Sequence, residues 1–235
     1  MSEWAAKRFW KAAKVVAQEP GFAVLLDGRA VKTPAKTALI VPTEGMAQEI
    51  AAEWDAQEDR INPLTMPFTR SANAALDKVR LQQAEVAAML AAYGDSDLLC
   101  YRADSPEALV SRQAEAWDPL LDWAAARFGA RLIPRTGVMH SPQDAAALTR
   151  LAEEVQKMTA FQLAAFHDLV GLSGSLVLAL AVADGHLAGD AAWPLSRIDE
   201  TWQEEQWGAD EEASAMATRK QEEFLHAERF YRLSA

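Results

Sequence analysis

A chain of 235 residues, half of them hydrophobic and 24% charged, has the composition of a folded globular protein with one large core or two modest ones, which excludes a mainly disordered chain. Its 34 Asp and Glu against 23 Lys and Arg give a formal charge of -11, so a nucleic-acid backbone is repelled over most of the surface and nucleic acid is excluded as a partner. The single cysteine, Cys100, permits no intrachain disulfide and supplies no thiolate zinc set, consistent with a reducing cytoplasm.

The opening MSEWAAKRFWKAAKVV lacks the apolar run of a signal peptide, and with Glu3 and few arginines or serines it is a poor transit peptide. From Phe9 to Val41 the punctuation is that of short strands: KAAKVVAQ, the turn Glu19-Pro20-Gly21, FAVLLDGRAVKTP, then ALIVP. Asp27-Gly28 between apolar runs predicts a hairpin with a type I′ turn, which puts Phe22, Val24 and Leu26 on one face. Pro34 and Pro42 close strands whose continuation they block. Thr43 then caps a helix to about Gln57 with a stripe of Met46, Ile50 and Trp54, and NPLTMPF reads as an extended link.

Beyond Thr69 the periodicity is helical. Ala72, Leu76 and Val79, then Val86, Met89, Leu90 and Tyr93, then Leu148, Leu151, Val155 and Met158 form apolar stripes. Ser105-Pro106, Asp118-Pro119 and Ser141-Pro142 each read as a capping residue before a proline at the first helical position. The most apolar segment, Gly171 to Ala183, is 13 residues long against the roughly 20 needed to span a bilayer, so a buried core helix is expected and no membrane insertion. A long last helix starts near Asp210, Glu211 and Glu212 and ends with Arg229 and Arg232, charges that oppose its macrodipole at both ends. The fold class expected is α+β, a small antiparallel β-rich domain with one helix over 1–68 and a larger all-helical domain over 69–235.

The search for chemistry nominates no catalytic residue. Gly171-Leu-Ser-Gly-Ser175 lacks the last glycine of a nucleophile elbow and the lysine of a phosphate loop, and no dinucleotide fingerprint occurs. His140, His167, His186 and His226 form no H-x-x-x-H pair, and the lone E-x-x-H, Glu223 to His226, is half of the set a di-iron bundle needs, so neither metal nor cofactor is expected. Of the eight tryptophans, Trp54, Trp117 and Trp123 sit on apolar stripes and read as core anchors. Trp202 and Trp207 stand among Gln and Glu in DETWQEEQWGADEEA (199–213), with seven carboxylates, a composition favoured at protein interfaces. In that stretch Asp199 reads as a helix cap, and Gly208 as the break between two helices.

The order RFWK, LDGRAVKTP, EWDAQ, TMPFTRSANAALD, SDLLCYRA, QAEAWDPLLDW and DETWQEEQWGADEEA resembles the ATP-twelve family of assembly chaperones over nearly the whole chain. The resemblance implies a two-domain protein that is not an enzyme. It also implies a partner, the free α subunit of the soluble catalytic sector of ATP synthase, whose β-facing surface is shielded until assembly. The expected location is the bacterial cytoplasm, with the mitochondrial matrix for eukaryotic relatives, and the expected state a monomer. Carried over onto this sequence, the partner-binding positions are Glu200, Trp207, Gly208, Asp210 and Glu211. Trp54 of EWDAQ, with Arg29, Lys32 and Pro34 of LDGRAVKTP, is carried over as structural or functional. Two other readings of the acidic stretch are a metal-dependent enzyme with an acidic interdomain site and a purely structural scaffold.

Overall fold

The computed structural model describes residues 7–235; Trp4 and the start of the N-terminal segment lie outside them. The chain forms two compact units, one made of residues up to Gln83 with Thr159–Ala165 and Arg229–Ala235, the other of Ala84–Met158 and Phe166–Glu228. Strands come first and helices follow, the α+β arrangement expected.

In the first unit β1 (Ala13–Gln18) pairs antiparallel along all of β2 (Gly21–Leu26), while β3 (Arg29–Ala30) and β4 (Ile40–Val41) pair antiparallel with opposite ends of β2. Asp27 and Gly28 have φ of 47° and 85°, the two positive values a type I′ turn demands. The N–H groups of Lys11 and Ala12 donate to the Asp27 carboxylate at 2.9 and 3.1 Å, and these bonds hold its pKa below the usual range. Val24 and Leu26 are buried and Phe22 packs beside them, the shared face read from the alternation.

Helix α1 (Glu44–Asp55) begins where Thr43 accepts the Met46 N–H at 3.2 Å, and the Thr43 hydroxyl donates to the Leu233 carbonyl. Met46 and Ile50 are fully buried against the sheet, and Trp54 packs at the cluster's edge. The helix stops two residues before Gln57, and Arg8 donates to the carbonyls of Asp55, at 2.8 Å, and Gln57, filling acceptors that a helix end leaves open.

NPLTMPF is not extended. Pro63–Thr65 is a turn of 3-10 helix capped by Asn62, and α2 (Pro67–Asp77) starts at Pro67, since proline fits a first helical position. The Glu53 carboxylate accepts from the N–H of Phe68 and Thr69, at 2.5 and 2.8 Å, and from the Thr69 hydroxyl at 2.7 Å, so a residue of α1 caps α2 from a distance. Phe68, with Phe230 5.8 Å away, closes this core.

The second unit holds α3 (Gln83–Ala91), α4 (Glu107–Phe128), α5 (Ala145–Gln156), α7 (Leu176–Ala183), α8 (Gly189–Leu195), α9 (Ile198–Trp207) and most of α6 (Ala160–Ser173) and α10 (Glu211–Leu233). It also contains a short parallel ladder of β5 (Tyr101–Arg102) on β6 (Arg135–Thr136). Met89 is 49% exposed, so the face α3 buries runs through Ala87 and Leu90 instead.

Two of the three expected proline starts fail. Pro119 lies inside α4, because a proline costs a helix interior about 3 kcal/mol while burial of Trp117, Leu120, Leu121 and Ala124 on either side contributes more. α5 starts at Ala145, and its cap is Asp144, which accepts the Ala147 N–H at 2.9 Å, not Ser141. The third start is met in place only: α4 begins at Glu107, Pro106 is the extended residue just before it, and Ser105 does not cap it.

The segment 171–183 is likewise two helix pieces. Gly174, with φ of 71°, ends α6, and Ser175 caps α7 by accepting the Leu178 N–H at 3.0 Å. Beneath this break lies Asp97, fully buried, which accepts from the Ser175 hydroxyl at 2.8 Å and from the N–H of Val177 and Leu99 at 2.9 and 3.0 Å. Burial beside it pushes the Cys100 thiol up to about 12, too high for a reactive thiolate. Among the described residues no helix is long and apolar enough to cross a membrane.

Candidate functional site

Helix α9 is two-sided, and period 3.6 decides which carboxylate does what. Asp199, Trp202 and Glu205, three apart, face α4. Gln113, 1% exposed, donates its amide to Asp199 at 2.6 Å while its oxygen accepts the Ala103 N–H at 2.8 Å. Arg112 donates to Glu205 at 2.9 Å, and its guanidinium lies 4.9 Å from the Trp202 ring centre. That hydrogen bond holds the Glu205 carboxyl below its usual pKa. Asp199 therefore sits inside the helix as a tie to α4, not as the cap expected, and Trp202 is half-buried under an arginine.

The opposite face carries Glu200, Glu204 and Trp207 at i, i+4 and i+7. Glu200 pairs with Arg197 at 2.7 Å; Glu204 forms no ion pair among the described residues. Trp207 is 79% exposed, a large indole held in solvent at the last turn of α9.

Gly208 then breaks the chain with φ 90° and ψ 154°, its N–H donating to the Glu204 carbonyl at 2.9 Å. Only glycine adopts that conformation without strain, so Gly208→Ala is expected to destabilise this junction by about 1–3 kcal/mol, measured as a lower unfolding free energy by denaturant titration. Asp210 restarts the helix by accepting the Ala213 N–H at 2.8 Å, and Glu211 and Glu212 project from the first turn of α10. Glu200, Trp207, Gly208, Asp210 and Glu211 thus lie on one continuous helix–break–helix segment.

In the first unit Arg29 is exposed, its guanidinium 5.6 Å from the ring centre of Phe9, itself 60% exposed. Lys32 is exposed in a bridge with Ala38. Pro34 sits in a loop that Asp77 clamps by accepting the Thr33 hydroxyl at 2.6 Å and the Ala35 N–H at 3.0 Å. Trp54, at the edge of the core cluster, meets Trp10 edge-on at 5.2 Å.

Sequence reasoning missed Arg112 and Gln113. Neither carries a local signal, because their partners lie 93 and 86 residues away along the chain. Among the described residues no group of three His, Cys, Asp or Glu could hold a metal ion.

The model of the family described as ATP12 chaperone protein matches residues 7–125. The chain is 27% identical over 222 residues to the mitochondrial protein atp12 of Schizosaccharomyces pombe, covering 88% of this chain and 75% of that protein. The crystal structure of Atp12 from Paracoccus denitrificans superposes with a TM-score of 0.96 at 51% identity, covering 99% of this chain and 100% of that one. A solved aspartate-to-lysine mutant of the same protein matches at 50% identity and a TM-score of 0.96, covering all of both chains.

Proposed function

Because the chain belongs to the ATP12 chaperone family, we propose that it binds the free α subunit of the soluble catalytic sector of ATP synthase, as a cytoplasmic monomer, and covers the subunit's β-facing interface until assembly. An orphan subunit exposes an obligate interface, which is large and apolar enough to aggregate when unpaired. Its chaperone has to cover that surface and still release it.

The observation that carries this reading is Trp207, 79% exposed at a helix junction, with carboxylates within three residues on either side in the sequence. An indole in solvent contributes nothing to the fold and much to a contact, and aromatic anchors dominate binding energy at interfaces. Around it Glu204, Glu211 and Glu212 make no ion pair among the described residues, so they are available to cationic groups on the client. Such rim charges speed association and make it salt-sensitive without raising affinity to a level that prevents release.

The test is suppression of aggregation of purified α subunit, followed by light scattering. Trp207→Ala is expected to weaken protection by on the order of tenfold or more, the loss typical of an aromatic anchor. Glu200→Lys and Glu211→Lys are expected to slow capture most at low salt. Undiminished protection by all three variants, each correctly folded, would sink this assignment.

A further inference from the structure

The four-stranded sheet of the first unit has a second face that the core does not use. Its inner face supplies Val24, Leu26, Val31 and Val41 to the buried cluster. Residues paired across an antiparallel ladder share a face, so the register defines the other side as two cross-strand rows. Val16, Ala23 and Ile40 form one row; Lys14, Leu25 and Ala30 form the next. Lys32, two residues along the chain from Ala30, lies on the same side as Ala30, since side chains alternate along an extended strand.

None of these residues belongs to the core cluster; Ala23, between Val16 and Ile40, is buried, Val16, Leu25 and Ile40 are half-buried, and Lys14, Ala30 and Lys32 are exposed. An antiparallel sheet with one solvated face normally alternates apolar-in with polar-out. Here β2 is apolar throughout, GFAVLL, and the outer face is aliphatic between two lysines.

The charge of this region is opposite to that of the whole. Residues 7–36 carry seven Lys and Arg against two Asp and Glu, in a chain of net charge -11. One of those acids, Asp27, is taken up by the N–H groups of Lys11 and Ala12. The Lys14 and Lys32 ammonium groups form no ion pair among the described residues.

Resting on the function proposed above, we propose that the outer face of this sheet is a second docking surface, for an acidic, partly apolar polypeptide segment of the client subunit. Aliphatic rows give such a segment apolar area to bury, and flanking lysines select acidic side chains beside it. A nucleic acid or an anionic bilayer would meet the repulsion of the remaining acidic surface, whereas a short acidic segment contacts the basic region alone.

The experiment is isothermal titration of purified α subunit into the full-length chain at low and at moderate salt. Wild type is compared with Lys14→Glu/Lys32→Glu, with Lys14→Gln/Lys32→Gln in case the reversal unfolds, and with Glu211→Lys. The lysine variants, melting as wild type does, are expected to bind on the order of tenfold more weakly and with a smaller salt dependence. Wild-type affinity in a folded lysine variant overturns the sheet surface while leaving the chaperone assignment in place. No binding by wild type overturns that assignment and this surface with it. Sedimentation of wild type, but not of the lysine variants, with vesicles of phosphatidylcholine and phosphatidylserine in equal parts also overturns it, assigning the face to lipid.

Discussion

Trp117→Ala is expected to lower the unfolding free energy by about 3–5 kcal/mol, the range for removing a fully buried large aromatic. Trp117 is 0% exposed in the middle of α4, its indole N–H donates to the Leu195 carbonyl at 2.8 Å, and the Arg102 guanidinium lies 5.3 Å from its ring centre. Truncation leaves a cavity, an unpaired carbonyl and an arginine without its aromatic neighbour. The carbonyl belongs to the last residue of α8, three positions before α9 begins, so the loss reaches the helix that carries Trp207. Denaturant titration measures the stability loss, and Trp117→Phe, which keeps most of the ring volume, is expected to recover more than half of it.

Asp97→Asn is expected to change how stability depends on pH. Asp97 is fully buried, and desolvation raises its pKa from 3.8 to about 6 although Val177, Ser175 and Leu99 all donate to it. The folded state therefore holds the proton more tightly than the unfolded chain. The contribution of Asp97 is fully present below the unfolded value near 4 and is lost as pH rises through about 6. A difference of this size corresponds to roughly 3 kcal/mol. The stability advantage of wild type over Asp97→Asn should shrink by about that amount between about pH 4 and about pH 7 and stay level above. A difference that is flat across this window would show that the three donors, not burial, set the protonation of Asp97.

How much of this was legible in the sequence depended on whether the determining contact was local. The Asp27-Gly28 hairpin, the Thr43 cap, the stripe of Met46 and Ile50 and the Gly208 break all rest on residues within a few positions of one another, and each stands in the structure. Pro119 misled because a proline after an aspartate is a genuine start signal; burial of Trp117 and its neighbours, which depends on residues far along the chain, overrides it.

Asp199 was misplaced for the same reason, since Gln113 claims it across 86 residues. The acidic stretch was legible as an unusual composition, yet its division into a face toward α4 and a face toward solvent needed the phase of α9, which charge spacing alone does not give. The outer sheet face was hidden inside a run, FAVLL, that reads equally well as a strand buried on both sides.

The proposed function stands or falls on capture of an unassembled α subunit. The most direct measurement is mass spectrometry of what co-purifies with the tagged chain from its own cells. The α subunit recovered without β is the result predicted. Recovery of a complete α–β assembly, or of a correctly folded chain free of α subunit, would contradict it.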